Sequence, residues 1–178
     1  MAQEKYVYGI KSIKFGTPTG SASMPVASAM TAWALTVRGS FTLTEDEAQI
    51  KQFKVEEVTS PVKEVVTDAG ALTGKWRAYD LTPSLIAVVK GGASGTAGSG
   101  ASAMVTYAGP TSVVALDLAL EVTTTNDAKL EIYKASVLGR FDGGISAESL
   151  LELEVSATAL DPGDGGSPYM ISLPDPAA

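Results

Sequence analysis

Glu152 and Glu154 are the residues of this chain whose type and spacing come nearest to chemistry. They lie two apart in a segment that alternates apolar and polar positions, so both carboxylates point to one face of a strand. A carboxylate pair is the equipment of a glycoside hydrolase, but such an enzyme needs its two carboxyls across a substrate cleft. A solvated outer face is the simpler reading of this pair. Lys90 stands before the glycine-rich run at 91–103, whereas a phosphate-binding loop carries its Lys after the glycines with Ser or Thr next to it. Asp161, Asp164 and Gly165 resemble the opening of a calcium loop, yet the remaining ligands and the closing Glu are missing, which leaves a turn. Trp33 and Trp76 could stack on a sugar ring; their apolar neighbours favour core packing. Glu45-Asp46-Glu47 reads as a solvated polar turn.

Composition narrows the choice further. The 178 residues include no cysteine and no histidine. Disulfides, thiolate nucleophiles and zinc–thiolate sites are thereby removed, along with the commonest general base and the commonest metal ligand. The chain is therefore read as a non-enzyme with no catalytic residue, no metal and no cofactor. A formal charge of -7 repels nucleic acid, so specific DNA or RNA binding is not expected. With 45% apolar and 19% charged residues, the chain is expected to form one globular domain over 1–178. The first six residues lack the basic start and apolar run of a signal peptide, and no stretch approaches the roughly 18 apolar residues that span a bilayer. The expectation is a protein made in a cytoplasm, with no membrane partner.

The elements that would position these residues are mostly strands. Tyr6, Tyr8 and Ile10 share one parity and Ile13 and Phe15 the other, which predicts a first strand with a bulge near Lys11. Residues 16–30, rich in small residues and proline, predict a long loop. Trp33, Leu35, Val37, Phe41 and Leu43 predict one long strand ending in the polar turn at 44–47. A strand is expected over about 50–58, closed by Ser60-Pro61, with a short edge segment at 62–66 and another strand at 74–79. Thr82 as N-cap, Pro83 at the first helical position, a stripe of Leu85, Ile86, Val88 and Val89, and Gly91 as cap predict a short helix over 82–90. The run at 91–103 is expected to be a mobile loop. A short strand is expected at 104–107 and a long one at 114–123. Another over 129–138 should change phase near Tyr133, and a helical turn at 146–150 should lead to a return strand through 151–159 and a last strand at 169–173. The sum is mainly β: a β-sandwich or partly closed barrel with one short flanking α-helix.

The order of these features resembles the major tail tube proteins of long-tailed bacteriophages. The resemblance is carried by the amphipathic strand ending in Thr42-Leu43-Thr44-Glu45, by the helix at 82–90, and by Leu130-Glu131-Ile132-Tyr133-Lys134-Ala135. Phe141-Asp142-Gly143-Gly144 and Leu151-Glu152-Leu153-Glu154-Val155-Ser156-Ala157-Thr158-Ala159-Leu160 complete it, so that it covers most of the chain from about Trp33 onward. It implies a tail-tube-like β-sandwich whose copies form hexameric rings, stacked into a tube that passes DNA without binding it specifically. It also implies other tail proteins as partners, and a location in the virion tail after synthesis in the host bacterial cytoplasm. The family has no catalytic residues to carry over. Its loops and termini join neighbouring subunits, a role that falls here on 16–30 (Gly16, Pro18, Gly20, Met24, Pro25), on 91–103 (Gly91, Gly92, Gly95, Gly98, Gly100) and on the two tails. Glu152 and Glu154 become a candidate lumen or inter-subunit face.

A carbohydrate-binding or adhesin β-sandwich module is the alternative of another class. The Thr, Gly and Ala content and the two tryptophans fit it.

Overall fold

A computed structural model of the chain describes residues 7–56 and 58–174. The expected start of the first strand at Tyr6 and the two tails, 1–6 and 175–178, lie outside them. In chain order the elements are β1 (Ile10–Gly16), β2 (Thr31–Trp33), β3 (Thr42–Glu45), β4 (Gln49–Val55), β5 (Val58–Asp68) and β6 (Leu72–Ala78). Then come α1 (Pro83–Lys90), β7 (Ala93–Ala97), β8 (Met104–Ala108), β9 (Leu116–Thr124), β10 (Lys129–Asp142), β11 (Glu152–Ala159) and β12 (Tyr169–Ser172). The protein is mainly β, as the alternating pattern predicts; among the described residues all strand pairs are antiparallel and there is one α-helix.

The main sheet has eight strands in the order β2-β1-β9-β10-β11-β6-β3, with β12 added beside β10. β10 is its centre. β9 runs along one edge of it, while the other edge takes β12 at Lys129 to Ile132 and then β11 from Ala135 to Asp142. The handover falls at the register shift between Ile132 and Ala135, where the sequence changes phase near Tyr133. The extra residue lets the strand bend and re-aim its side chains. A matching shift lies between Ile10 and Ser12 in the pairing of β1 with β9, at the predicted bulge.

One face of this sheet is the core. Ile13, Phe15, Leu120, Val122, Ile132, Val137, Leu153, Val155 and Ala157 are all buried, at every second position along their strands. The sheet curls until its two ends meet: Trp33 on β2 packs edge-on against Trp76 on β6 at 6.3 Å, and Phe41 stacks on Trp76 at 6.3 Å. α1 lays Ile86 and Val89 against β10. It comes so close at Gly139 that a Cβ there would stand 3.0 Å from Val89 Cγ2 and 3.2 Å from its carbonyl oxygen.

Several local expectations are corrected. The long strand over 33–43 does not form. Leu35 adopts φ 55° and Gly39 φ 74°, so the chain leaves β1 after Trp33, bridges Thr36 to Ala78, and joins β6 as β3. Closing the sheet requires that crossing, and tertiary contact overrides the local alternation. β3 also runs on through Thr44 and Glu45, which belong to a strand and not to a turn. The strand expected over about 50–58 ends at Val55, and the chain reverses into β5, which begins at Val58, runs through Ser60-Pro61 and takes in the expected edge segment. The ladder skips between Phe53 and Val55, so Pro61, which has no N–H to give, falls where the pairing is interrupted. Residues 91–103 form β7 and a 3-10 turn instead of a loop. A hairpin ladder is made by the backbone, so small side chains do not prevent it. Thr82 makes no side-chain cap; its hydroxyl donates instead to Asp80 Oδ1 at 2.6 Å. Residues 146–150 are a bend without a helical turn, in which Ser146 Oγ accepts from the N–H groups of Glu148 and Ser149.

Candidate functional site

Glu152 and Glu154 lie on the outward face of β11, with Leu153 and Val155 pointing inward between and beside them. The antiparallel register places Arg77 of β6, Glu154 and Arg140 of β10 in one row across three strands. Arg140 Nη2 donates to Glu154 Oε2 at 3.0 Å, and Arg77 Nη1 to Glu152 Oε2 at 3.0 Å. Glu154 chiefly, through that hydrogen bond, raises the Arg140 pKa; Glu152 does the same to the Tyr79 hydroxyl by accepting its hydrogen bond. The glutamate side chains are only 15% and 23% exposed. The two carboxylates share a face, as their spacing requires, but each is neutralised by an arginine that sequence alone did not pair with it. They form a charge ladder across the strands, and no cleft separates them.

The other residues with chemical potential resolve into structure. Trp33 and Trp76 are 4% and 2% exposed and belong to the core. Asp161 and Asp164 each close a tight turn by accepting from the N–H two residues on, at 2.8 and 2.9 Å. Among the described residues no group of three His, Cys, Asp or Glu side chains could hold a metal ion, and no helix is long and apolar enough to cross a membrane.

The segment 16–30 folds back on its own subunit along part of its length. Asp164 Oδ2 accepts from the Ala22 N–H at 2.8 Å, tying this loop to the turn at 161–166. That bond first, and then the Gly166 N–H, hold the Asp164 carboxyl below its ordinary pKa. Gly16 is buried beneath Met30 and Pro25, while Pro18 and Met24 are half-buried; Gly20, by contrast, faces open space. Along 91–103, Gly95 lies within β7, Gly98 and Gly100 make the turn to β8, and Gly91 and Gly92 form the base. That base is anchored: Tyr107 Oη donates to the Gly91 carbonyl at 2.8 Å, and Tyr107 meets Phe141 edge-on. The outer part of the hairpin, with Met104 and Val105, is exposed.

Sequence reasoning missed the most exposed feature. β4 and β5 form a separate two-stranded ribbon that pairs with no other strand, and every side chain described in it is exposed on both faces. Ile50, Phe53, Val55, Val58, Val62, Val65 and Val66 all stand open to water. The available signal was Ile50, Phe53 and Val55 before Glu56-Glu57 and Val58, Val62, Val65 and Val66 after it, two strand-like segments on either side of a polar pair. Pro61 masked it by suggesting a strand end. Glu45, Asp46, Glu47 and Asp68 flank the ribbon in the chain, exposed and with no ion pair among the described residues; Glu45 Oε1 accepts from the Tyr169 hydroxyl at 3.1 Å.

No protein-family model matches the chain, and no curated protein matches it.

Proposed function

We propose that this chain is a structural subunit that self-assembles into rings, stacked as a viral tail tube that conducts DNA. The observation that carries this reading is the β4-β5 ribbon, a two-stranded arm that pairs with no other described strand and exposes all its described side chains, Phe53 and six Val and Ile residues among them. An isolated hairpin is marginal in water, and an exposed apolar edge invites pairing with another chain. Such an arm makes physical sense when neighbouring copies cover it. The β7-β8 hairpin, with small side chains along β7 and exposed Met104 and Val105 on β8, supplies a second contact of the same kind.

The charge fits passage of DNA. Six copies at -7 each carry -42 per ring, and an acidic wall repels phosphate so that a duplex slides without sticking. Glu152 and Glu154 contribute little free charge to that wall because Arg77 and Arg140 compensate them. The exposed carboxylates that flank the ribbon in the chain are the better source. The two tryptophans that suggested a sugar-binding role are buried in the core and offer no stacking platform.

Negative-stain microscopy and sedimentation of the concentrated protein, with and without an initiator complex, test this. Rings or tubes are expected, and replacing residues 49–68 by a short Gly-Ser turn should leave a folded monomer. A full-length chain that stays monomeric under all these conditions overturns the proposal.

A further inference from the structure

The curled sheet is open where the starts of β1 and β10, β12 and the segment 36–43 surround a cavity of about 540 Å3. That volume lies within the roughly 300–1,000 Å3 of pockets that enclose a ligand. Tyr8, Ile10, Phe41, Val122, Leu130 and Ile171 give it apolar walls. Tyr8 is 61% exposed, so part of this lining is held open to water. The charges on it are one-sided. In a chain with 20 acidic and 13 basic residues, the cavity is lined by Arg38 and Lys129 and, among the described residues, by no carboxylate. Arg38 has no ion pair among the described residues, and Lys129 reaches Glu121 only at 3.7 Å.

The tip of the β4-β5 ribbon offers the opposite charge at Glu56, two residues after the exposed Lys54. Val55 and Val58 pair across its end, 44% and 47% exposed, and Glu56 follows directly in the chain without an ion pair among the described residues. Eleven residues of β5 at a strand rise of about 3.3 Å carry that tip roughly 30 Å along the ribbon, far enough to reach another molecule. We propose that the mouth of one copy receives the ribbon tip of a second copy, with Val55 and Val58 in the cavity and Glu56 against Arg38 and Lys129. The proposal rests on the self-assembly reading above and names the contact that would join the copies. Burial of the apolar pair supplies the attraction, and the opposite charges set orientation and register. Because tip and mouth are different surfaces, the contact is head-to-tail. It can close into a ring or continue as a stack, whereas a self-complementary patch would stop at a dimer.

The absence of cysteine makes a clean test. Protein carrying Val58→Cys is mixed with protein carrying Leu43→Cys, at the lining of the mouth, and mildly oxidised; a disulfide-linked heterodimer is expected. Arg38→Glu alone and Glu56→Lys alone should each raise the concentration needed for assembly by on the order of tenfold, and the double exchange should restore it. Thermal melts of each variant, unchanged from the parent, check that folding is intact. Assemblies that form without the cross-link, and with both single charge reversals tolerated, overturn the contact while leaving the tube reading in place. A parent chain that never assembles removes both. A small amphiphile retained in the mouth, seen as added mass by native mass spectrometry and blocked by Arg38→Glu, overturns the second copy as occupant.

Discussion

The β10-β11 pair and the β4-β5 ribbon are both antiparallel hairpins with regular stretches of backbone pairing, and they differ in what lies behind them. β11 alternates buried Leu153, Val155 and Ala157 with half-buried Glu152, Glu154, Ser156 and Thr158, because the curled sheet closes over one of its faces. The ribbon carries more Val, Ile and Thr, eight against four in the β10-β11 pair, yet buries none of its described side chains. Strand patterning therefore specifies a backbone state but not burial. Burial depends on whether the rest of the chain, or another chain, arrives to cover the face. In the body the chain covers itself; the ribbon it leaves uncovered among the described residues.

The sharpest way to break this comparison is to truncate one aromatic in each region. Trp76→Ala empties the contact where the ends of the sheet meet and should cost about 3–5 kcal/mol in urea unfolding of the monomer. Phe53→Ala on the ribbon should change monomer stability by no more than about 0.5 kcal/mol while weakening assembly. Equal losses in the two variants would mean that the ribbon is packed on its own subunit. Next in size is Glu154→Gln, which leaves Arg140 without its partner on the outer face of the body. Surface pairs of this kind contribute about 0–1 kcal/mol, so a loss well above that would place the ladder in a dry interface. The smallest effect concerns pH. The Asp164 carboxyl is held below the ordinary value of about 3.9 by the Ala22 and Gly166 N–H groups. A depressed folded pKa contributes stability that is present above the unfolded value and lost as pH falls through the folded one. Protection of the Ala22 amide from hydrogen exchange, taken relative to its intrinsic rate at each pH, should therefore fall below about pH 4, and Asp164→Asn should reduce that step; an unchanged step would assign it to another group.

Some of this was legible from the sequence. The two phase changes, near Lys11 and near Tyr133, announced the bulges of β1 and β10, because a period of two cannot change parity without an extra residue. α1 was legible from Pro83, the apolar stripe and Gly91, all signals confined to one or two turns. The common face of Glu152 and Glu154 followed from their spacing, but their arginine partners did not, since Arg77 lies 75 residues from Glu152 in the chain. The mouth was also out of reach: its walls come from five separate stretches between Val7 and Ile171.

What the sequence determined by itself, then, is the menu of local states: alternation sets strands, parity shifts set bulges, and a capped apolar stripe sets the helix. Only the tertiary structure decided which strands share a sheet, and it broke the 33–43 alternation at Leu35 to do so. It also turned the glycine-rich run into a hairpin and left the β4-β5 ribbon bare. The reason is physical. Backbone preference is settled among neighbours in the chain, while pairing and burial are settled by which distant segments win the competition to exclude water from the same apolar faces.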